Sequence, residues 1–258
     1  MIAQTTDIDG VILQELKSSH FSRRIRSHFL AYGTKYDFCR FFFIKDGEDK
    51  RGVISLFNSA MVVSSFKDKH LTDSDIFELS IFINMTKPFT VELDPCYAES
   101  LYSHIKEEYN SFGRVEFEFR CPCDVPKLNV NETPRLDDVF DILKTSFPII
   151  KQTKDLWLTD TSHRIRRGMS QSFTLDNVSS ATIQYLIDDI AFVGHVATVP
   201  SHRGKHHARE LLYWIGEQLN KDGFKVRLYA RDYNVSYYNE IGFVHVNSDK
   251  VFERKNID

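Results

Sequence analysis

Residues 196–209 are Val196-Ala-Thr-Val-Pro-Ser-His-Arg-Gly-Lys-His-His-Ala-Arg209. The run that leads into it, Ile190 to Val199, is mostly small or apolar, as expected of a strand covered on both faces. It stops at Pro200. A turn with Arg203, Gly204 and Lys205 follows, and from Lys205 to Asn220 the residues Ala208, Leu211, Leu212, Ile215 and Leu219 recur at helical spacing. A helix that starts directly after a strand leaves its first amide N–H groups without internal partners. Together with the helix dipole they form a site for an anion. Gly204 lets the backbone turn sharply and the two cations add charge, a chemistry that suits a pyrophosphate. Taken alone, the stretch also reads as a plain strand-to-helix connection with a solvated basic rim.

Working outward, Leu136, Val139, Phe140 and Leu143 mark a helix that ends before Pro148, and Asp155 to Arg167 reads as a second. Strands are expected over Ser172–Leu175 and Ala181–Ile187, with a turn at Asp188-Asp189. Downstream, Gly223 suits a left-handed helix cap. Phe224 to Ala230 alternates as a strand, Asn234 to Ile241 forms a short helix closed by Gly242, and Phe243–Val246 and Val251–Arg254 finish the sheet. That order implies an α/β fold with a mixed sheet and helices on both faces.

The turn reads Arg203-Gly204-Lys205-His206-His207-Ala208, and a later segment reads Tyr238-Asn-Glu-Ile-Gly242-Phe243. In both, and in the spacing of the elements between them, the chain resembles the GNAT superfamily of N-acetyltransferases over about residues 134 to 254. The superfamily has Arg/Gln-x-x-Gly-x-Gly/Ala after its fourth strand and Tyr-x-x-x-Gly-Phe further on. It usually has glycine where this chain has His206, whereas Ala208 is within the pattern.

The resemblance implies an acyl-CoA-dependent N-acyltransferase that uses acetyl-CoA and no metal. The backbone of Val196, Ala197, Thr198 and Val199 would hold the pantetheine arm. The turn from Arg203 through Gly204, Lys205, His206 and His207 to Ala208 would hold the pyrophosphate, and Asn234 would contact CoA or cap its helix. Tyr238 would protonate the departing thiol, with packing on a short helix as the alternative. The family often has a carboxylate base near the position of Val193, and none is present. His195, two residues on, shares that face and titrates in the right range, although a hydrogen-bonded core histidine has the same signature. The expected reaction moves an acetyl or short acyl group to a primary amine; the alternative is a CoA-binding sensor or scaffold without turnover. His202, His206 and His207 lack a Cys, Asp or Glu to complete a metal set. Arg164, Arg166 and Arg167 read as a solvated basic helix face or as a recruiter of an acidic acceptor.

The first half has no such turn. It reads as helix over Gly10–Leu30, strands at Tyr36–Ile44, Arg51–Phe57 and Ala60–Ser65, a helix over Ile76–Met85 capped by Thr72 or Asp73, a strand at Phe89–Leu93, a helix from Pro95 to Tyr109 and a strand at Val115–Phe119. From this order we expect a degenerate GNAT-like half, or else a scaffolding domain. The expected division is 1–122, a linker at 123–133 and 134–258. The 258 residues are 42% hydrophobic and 27% charged, a globular composition, and the net charge of −3 argues against a nucleic-acid or anionic-membrane partner. Cys39, Cys96, Cys121 and Cys123 read as reduced thiols. With neither a leader pattern nor a long apolar run in view, a cytoplasmic location is expected.

Overall fold

The computed structural model describes residues 1–120, 128–147 and 153–255. The Cys121-Pro122-Cys123 segment, much of the expected linker and Pro148 lie outside the described residues. In chain order the elements are β1 (Ile2–Thr5), α1 (Gly10–Gln14), α2 (His20–Tyr32), β2 (Cys39–Asp46), β3 (Asp49–Phe57), β4 (Ala60–Ser65), α3 (Asp73–Thr86), β5 (Thr90–Leu93), α4 (Ala98–Ile105) and β6 (Tyr109–Phe119). Then come β7 (Val130–Asn131), α5 (Leu136–Leu143), α6 (Lys154–Arg166), β8 (Gln171–Leu175), β9 (Ser179–Ile187), β10 (Ile190–Thr198), α7 (His207–Lys221), β11 (Lys225–Arg231), α8 (Val235–Glu240) and β12 (Phe243–Arg254). The second series repeats the first element for element. Short 3-10 turns precede α4 and α8 in both.

Two compact units result. The first contains residues 1–114 and 248–258, the second residues 115–247. The division therefore differs from the one expected at 122–134. The last strand of each series, β6 and β12, splits its residues between the units. Phe243–Val246 and Val251–Arg254 are one continuous strand rather than two.

In the first unit the strand order is β1-β2-β3-β4-β5-β12-β6. Its hairpins form where apolar strands meet short turns: Asp46 pairs Asp49 around Gly47, and Phe57 pairs Ala60. β4 and β5 are parallel, from Ala60↔Thr90 to Val63↔Leu93, with α3 as the crossover. The core runs through Phe42, Ile54, Met61, Ile76, Leu79, Leu101 and Phe252. The helix expected from Pro95 to Tyr109 ends at Ile105. Tyr109 instead opens β6, its buried hydroxyl donating to the Pro88 carbonyl at 2.8 Å.

This unit also contains a buried ionic cluster. Glu92 on β5 pairs with Arg24 of α2 and at 2.6 Å with Arg114 of β6, while Arg114 meets Asp249 at 2.5 Å. Burial alone would raise the Glu92 carboxyl, but Arg114 and then Arg24 hold it well below the carboxylate range. His20, buried beside them, is held well below its ordinary value by desolvation and next by Arg114.

In the second unit the order is β7-β8-β9-β10-β11-β6-β12. β11 alternates cleanly, with Val226, Leu228 and Ala230 buried in a core that α7 covers through Leu211, Leu212 and Ile215. On the other face, α5 and α6 pack Val139, Phe140, Leu143 and Trp157 around Ala197.

Candidate functional site

Two features of β10 define the site. The first is where its ladder to β11 ends. The strands are parallel and paired only at Ile190↔Lys225, Ala191↔Val226 and Phe192↔Arg227. Beyond that point β10 continues to Thr198 and β11 to Arg231, unpaired with each other. The edge of β10 that faces β11 thus offers backbone donors and acceptors to a ligand, the way an extended segment is captured by strand addition.

The second feature is a bulge. On its β9 side, β10 steps from Gly194↔Thr182 to Ala197↔Ser180, so His195 and Val196 face the single residue Ala181. His195 takes φ +53, a left-handed conformation unusual for a residue with a Cβ. Strain of this kind is typical of sites where the backbone is re-aimed. The His195 ring lies 6.0 Å from that of Trp157 and 6.4 Å from that of Phe147, edge-on to both. Val196 packs toward the α7 core, Ala197 toward α5 and α6. Ser179 anchors the end of the strand, its hydroxyl donating to the Ala197 carbonyl at 3.0 Å and lying 3.0 Å from the Thr198 hydroxyl. Val199 N–H donates to the Val178 carbonyl at 2.9 Å.

After β10, Pro200–His202 form a 3-10 turn and α7 starts at His207, two residues later than expected. Gly204 has φ +75 and nothing within 4 Å of where a Cβ would stand, so it is backbone conformation and not space that calls for glycine. His206 has φ 66 and ψ 1, a left-handed conformation that glycine adopts more readily than a residue with a Cβ. No side chain caps α7. Its first bond is Glu210 N–H to the His206 carbonyl, which leaves the N–H groups of His207, Ala208 and Arg209 without partners inside the helix. Lys205 and His206 are exposed beside them.

Arg203 is differently employed. Its Nε donates to the Thr198 carbonyl at 3.1 Å, and Nη2 to the Thr145 carbonyl at 3.3 Å and Ser146 Oγ at 3.1 Å. It ties the end of β10 to the segment after α5. His207 Nε2 lies 3.8 Å from Asp176 in the β8–β9 turn, and its ring meets His202 edge-on at 5.7 Å. Among the described residues no group of three or more His, Cys, Asp or Glu side chains could hold a metal ion. Arg164, read as part of a basic face, is instead buried and bonded to Asp160 at 2.6 Å.

Tyr238 sits on α8 with 7% of its surface exposed, its ring 5.7 Å from Phe117 and 5.5 Å from Phe243. Burial raises its phenol well above the ordinary value, so it stays a neutral O–H donor. The neighbouring Tyr237 is pushed up to about 12, also by burial. Asn234 is exposed and makes no capping bond, so the capping alternative is not realised.

Sequence reasoning missed Gln184, which projects over Gly194, and the pairing of Arg227 with Glu116 and Glu118 on the face of β11 opposite α7. Neither contact has a local sequence signal.

The first unit offers none of this at the corresponding point. Past Val63↔Leu93, Asp94 accepts from the Ser65 N–H at 3.1 Å and from its hydroxyl at 3.3 Å, and Lys17 N–H donates to the Ser65 carbonyl at 3.0 Å. The N-terminus of α3 is closed by a capping box between Thr72 and Asp75. Arg51 holds Asp75 at 2.9 Å.

No protein-family model matches the chain, and no curated protein matches it by sequence. Solved structures do match by shape. A GCN5-related N-acetyltransferase from Sphaerobacter thermophilus superposes with a TM-score of 0.63 at 11% identity over 91% of this chain and 85% of its own. A GNAT-family acetyltransferase from Colwellia psychrerythraea gives 0.57 at 9% identity over 99% and 100%. A tandem GNAT protein from the clavulanic acid biosynthesis pathway gives 0.59 at 8% identity over 100% and 99%. At such identities the likeness establishes fold alone, and the fold is that of the GNAT acetyltransferases, arranged as two successive units of one topology.

Proposed function

We propose that the chain is an acyl-CoA-dependent N-acyltransferase with one cofactor site, in the second unit, that moves an acetyl or short acyl group to a primary amine. The observation that carries this reading is the coincidence, on β10 and the turn after it, of an unpaired strand edge and an uncapped helix N-terminus. The edge from Val193 to Val199 accepts the pantetheine amides as an added strand would. The N–H groups from Gly204 to Ala208 take the pyrophosphate, with Lys205 adding charge. Arg203 serves by holding the turn in shape, and Asn234, which makes no capping bond, would contact the CoA.

Acyl transfer then needs three things of this chain. A backbone N–H at the bulge supports the negative charge on the tetrahedral oxygen. His195 takes a proton from the acceptor's ammonium, directly or through water, and the free amine then attacks the thioester carbon. Tyr238 donates a hydrogen bond to the departing sulfur. Its raised phenol is a weaker acid than an ordinary thiol of pKa about 8.5. Full transfer from it is therefore uphill, and its part is to stabilise the thiolate rather than to quench it. The second reading, a CoA-binding sensor without turnover, draws on the left-handed His206 and on the engagement of Arg203 with protein atoms.

Calorimetric titration with acetyl-CoA, against free CoA and pantetheine, followed by CoA release with a panel of amines, tests both. Binding with turnover that Tyr238→Phe reduces supports the enzyme. Binding without turnover on any amine favours the sensor. No binding at millimolar ligand overturns both.

A further inference from the structure

The β10 bulge has a counterpart on β9. Between Phe192↔Tyr185 and Val193↔Ile183 the register skips Gln184, which is left unpaired on β9. Its side chain lies across β10: a Cβ on Gly194 would stand 2.7 Å from Gln184 Cδ and 3.2 Å from Cγ. Gly194 is therefore the residue that lets the carboxamide rest on the strand. Gly194 lies two residues from Phe192 and alternates with Val193, so this is the face opposite α7. Among the described residues the Gln184 carboxamide makes no hydrogen bond to protein, although it is half-buried.

Its surroundings are aromatic. Phe192, which packs with Tyr185 at 5.2 Å and with Tyr229 at 5.5 Å, occupies the same face below it, at the last β10–β11 pair. Above it, His195 stands between Trp157 and Phe147. The Trp157 ring is 5.6 Å from Phe140, and its buried Nε1 has no hydrogen-bond partner among the described residues. A buried indole N–H without an acceptor is uncommon in a finished core. The nearby carboxylates on β6, Glu116 and Glu118, are both engaged by Arg227.

We propose that Gln184, seated on Gly194, positions the acceptor's amine, and that the acceptor is a primary amine on an aromatic or alkyl body. The inference rests on the acyltransferase reading above and deepens it. The carboxamide oxygen accepts from the ammonium beside His195, at the point where β10 parts from β11. The rings of Phe147, Trp157 and Tyr229 cover the apolar body and attract the cation through their faces. Gln184 is a neutral group, so it binds the ammonium without forming an ion pair that would hold the proton in place.

The test uses the full chain, acetyl-CoA, and 2-phenylethylamine against spermidine and lysine. The expected result is that 2-phenylethylamine has a kcat/KM at least about tenfold above the other two. Gln184→Leu should raise its KM by about tenfold or more with kcat little changed and the acetyl-CoA Kd unaltered. Gly194→Ala, which dislodges the carboxamide, should act in the same direction, and the double variant should add little to either. Equal or better use of spermidine or lysine, or an unchanged KM in Gln184→Leu, would overturn the proposal. Binding is read separately from the fluorescence of Trp157 in a Trp214→Phe background. Quenching by 2-phenylethylamine that Gln184→Leu abolishes, in a protein that fails to bind acetyl-CoA, would sink the enzyme reading and leave the amine site standing. Absence of both quenching and turnover with 2-phenylethylamine would sink the amine site itself.

Discussion

His206 offers a perturbation whose outcome follows from backbone geometry. It stands at the N-cap of α7 with φ 66 and ψ 1, exposed, and its side chain makes no capping bond. A residue with a Cβ spends about 1–2 kcal/mol to occupy this region, which glycine occupies at no steric cost. Glycine, however, loses more freedom on folding, by about 0.5–1 kcal/mol. The difference predicts that His206→Gly stabilises the protein by about 0.5–1 kcal/mol, a rise in Tm of about 1–4 °C for a chain of this size. The same substitution removes a Cβ from the turn proposed for the pyrophosphate, so the acetyl-CoA Kd should fall. His206→Ala retains both the Cβ and the left-handed backbone. It should raise neither Tm nor affinity beyond the small effect of losing the imidazole ring. Thermal unfolding without ligand and calorimetry with acetyl-CoA read the two consequences independently. A lower Tm in His206→Gly would refute the strain argument. Tighter binding in His206→Ala equal to that in His206→Gly would show that the imidazole, and not the Cβ, stands in the way.

Other expectations are as concrete. Tyr238→Phe keeps the ring contacts to Phe117 and Phe243, so Tm should hold while kcat falls by about ten- to a hundredfold; because burial holds the phenol above its usual value, the wild-type rate profile should show no limb from Tyr238 below about pH 10. Gly216→Ala on α7 would set a Cβ 2.8 Å from Phe119 Cγ and should cost about 1–3 kcal/mol, read as a lower urea midpoint; an unchanged midpoint would mean that the helix shifts freely. His20 is depressed in the folded chain, so its contribution is present above 6.5 and is lost as the unfolded chain takes up a proton below it. Stability should therefore decline as the pH falls below about 6.5, and His20→Gln should flatten that slope. Calorimetry should count one acetyl-CoA per chain, and a second site of similar affinity would contradict the closed state of the first unit.

How much of this was legible in the sequence depended on how local each signal was. The β10–turn–α7 passage could be read because a buried run, a breaker and a 3.6-residue apolar repeat follow each other within thirty residues or so. β1 and β7 escaped notice because four residues and two residues are too few to show alternation. β12 seemed to break at the polar stretch between Val246 and Val251. It continues because Asp249 is neutralised at 2.5 Å by Arg114, more than a hundred residues earlier in the chain. The site divides in the same way. The glycine and cation positions of the turn were visible, but the use of Arg203 was not, since its partners Thr145 and Ser146 come from the segment after α5. Gln184 was invisible because its only mark is the missing side chain at Gly194 on the next strand.

The two crossover helices show why one topology, present twice, need not mean two sites. α3 and α7 each follow the fourth strand of their series, and each begins where a phosphate would meet a helix dipole. At α3 the sequence supplies Thr72, Asp73 and Asp75: the threonine hydroxyl accepts the Asp75 N–H, and the aspartate carboxylate accepts the Thr72 N–H at 2.8 Å. Two of the donors, the N–H groups of Thr72 and Asp75, are thereby taken, and Asp73 and Asp75 make the first turn acidic, which disfavours a pyrophosphate. Against the effect of burial, Thr72 and then Arg51 hold the Asp75 carboxyl below its usual range, so this negative charge persists at neutral pH. At α7 the corresponding stretch is His206, His207, Ala208 and Arg209, with no side-chain cap and with Arg209 where α3 has Asp75; the acid of this turn, Glu210, comes one position later. The strands differ in the same sense, since Asp94 bridges the end of β4 in one unit while β10 and β11 simply part in the other. A capping box is worth about 1 kcal/mol to the helix it closes, and a binding site must forgo it. The first unit has kept that stability and the second has left its donors open, which is the asymmetry expected if one half of a duplicated fold supports structure and the other does the chemistry.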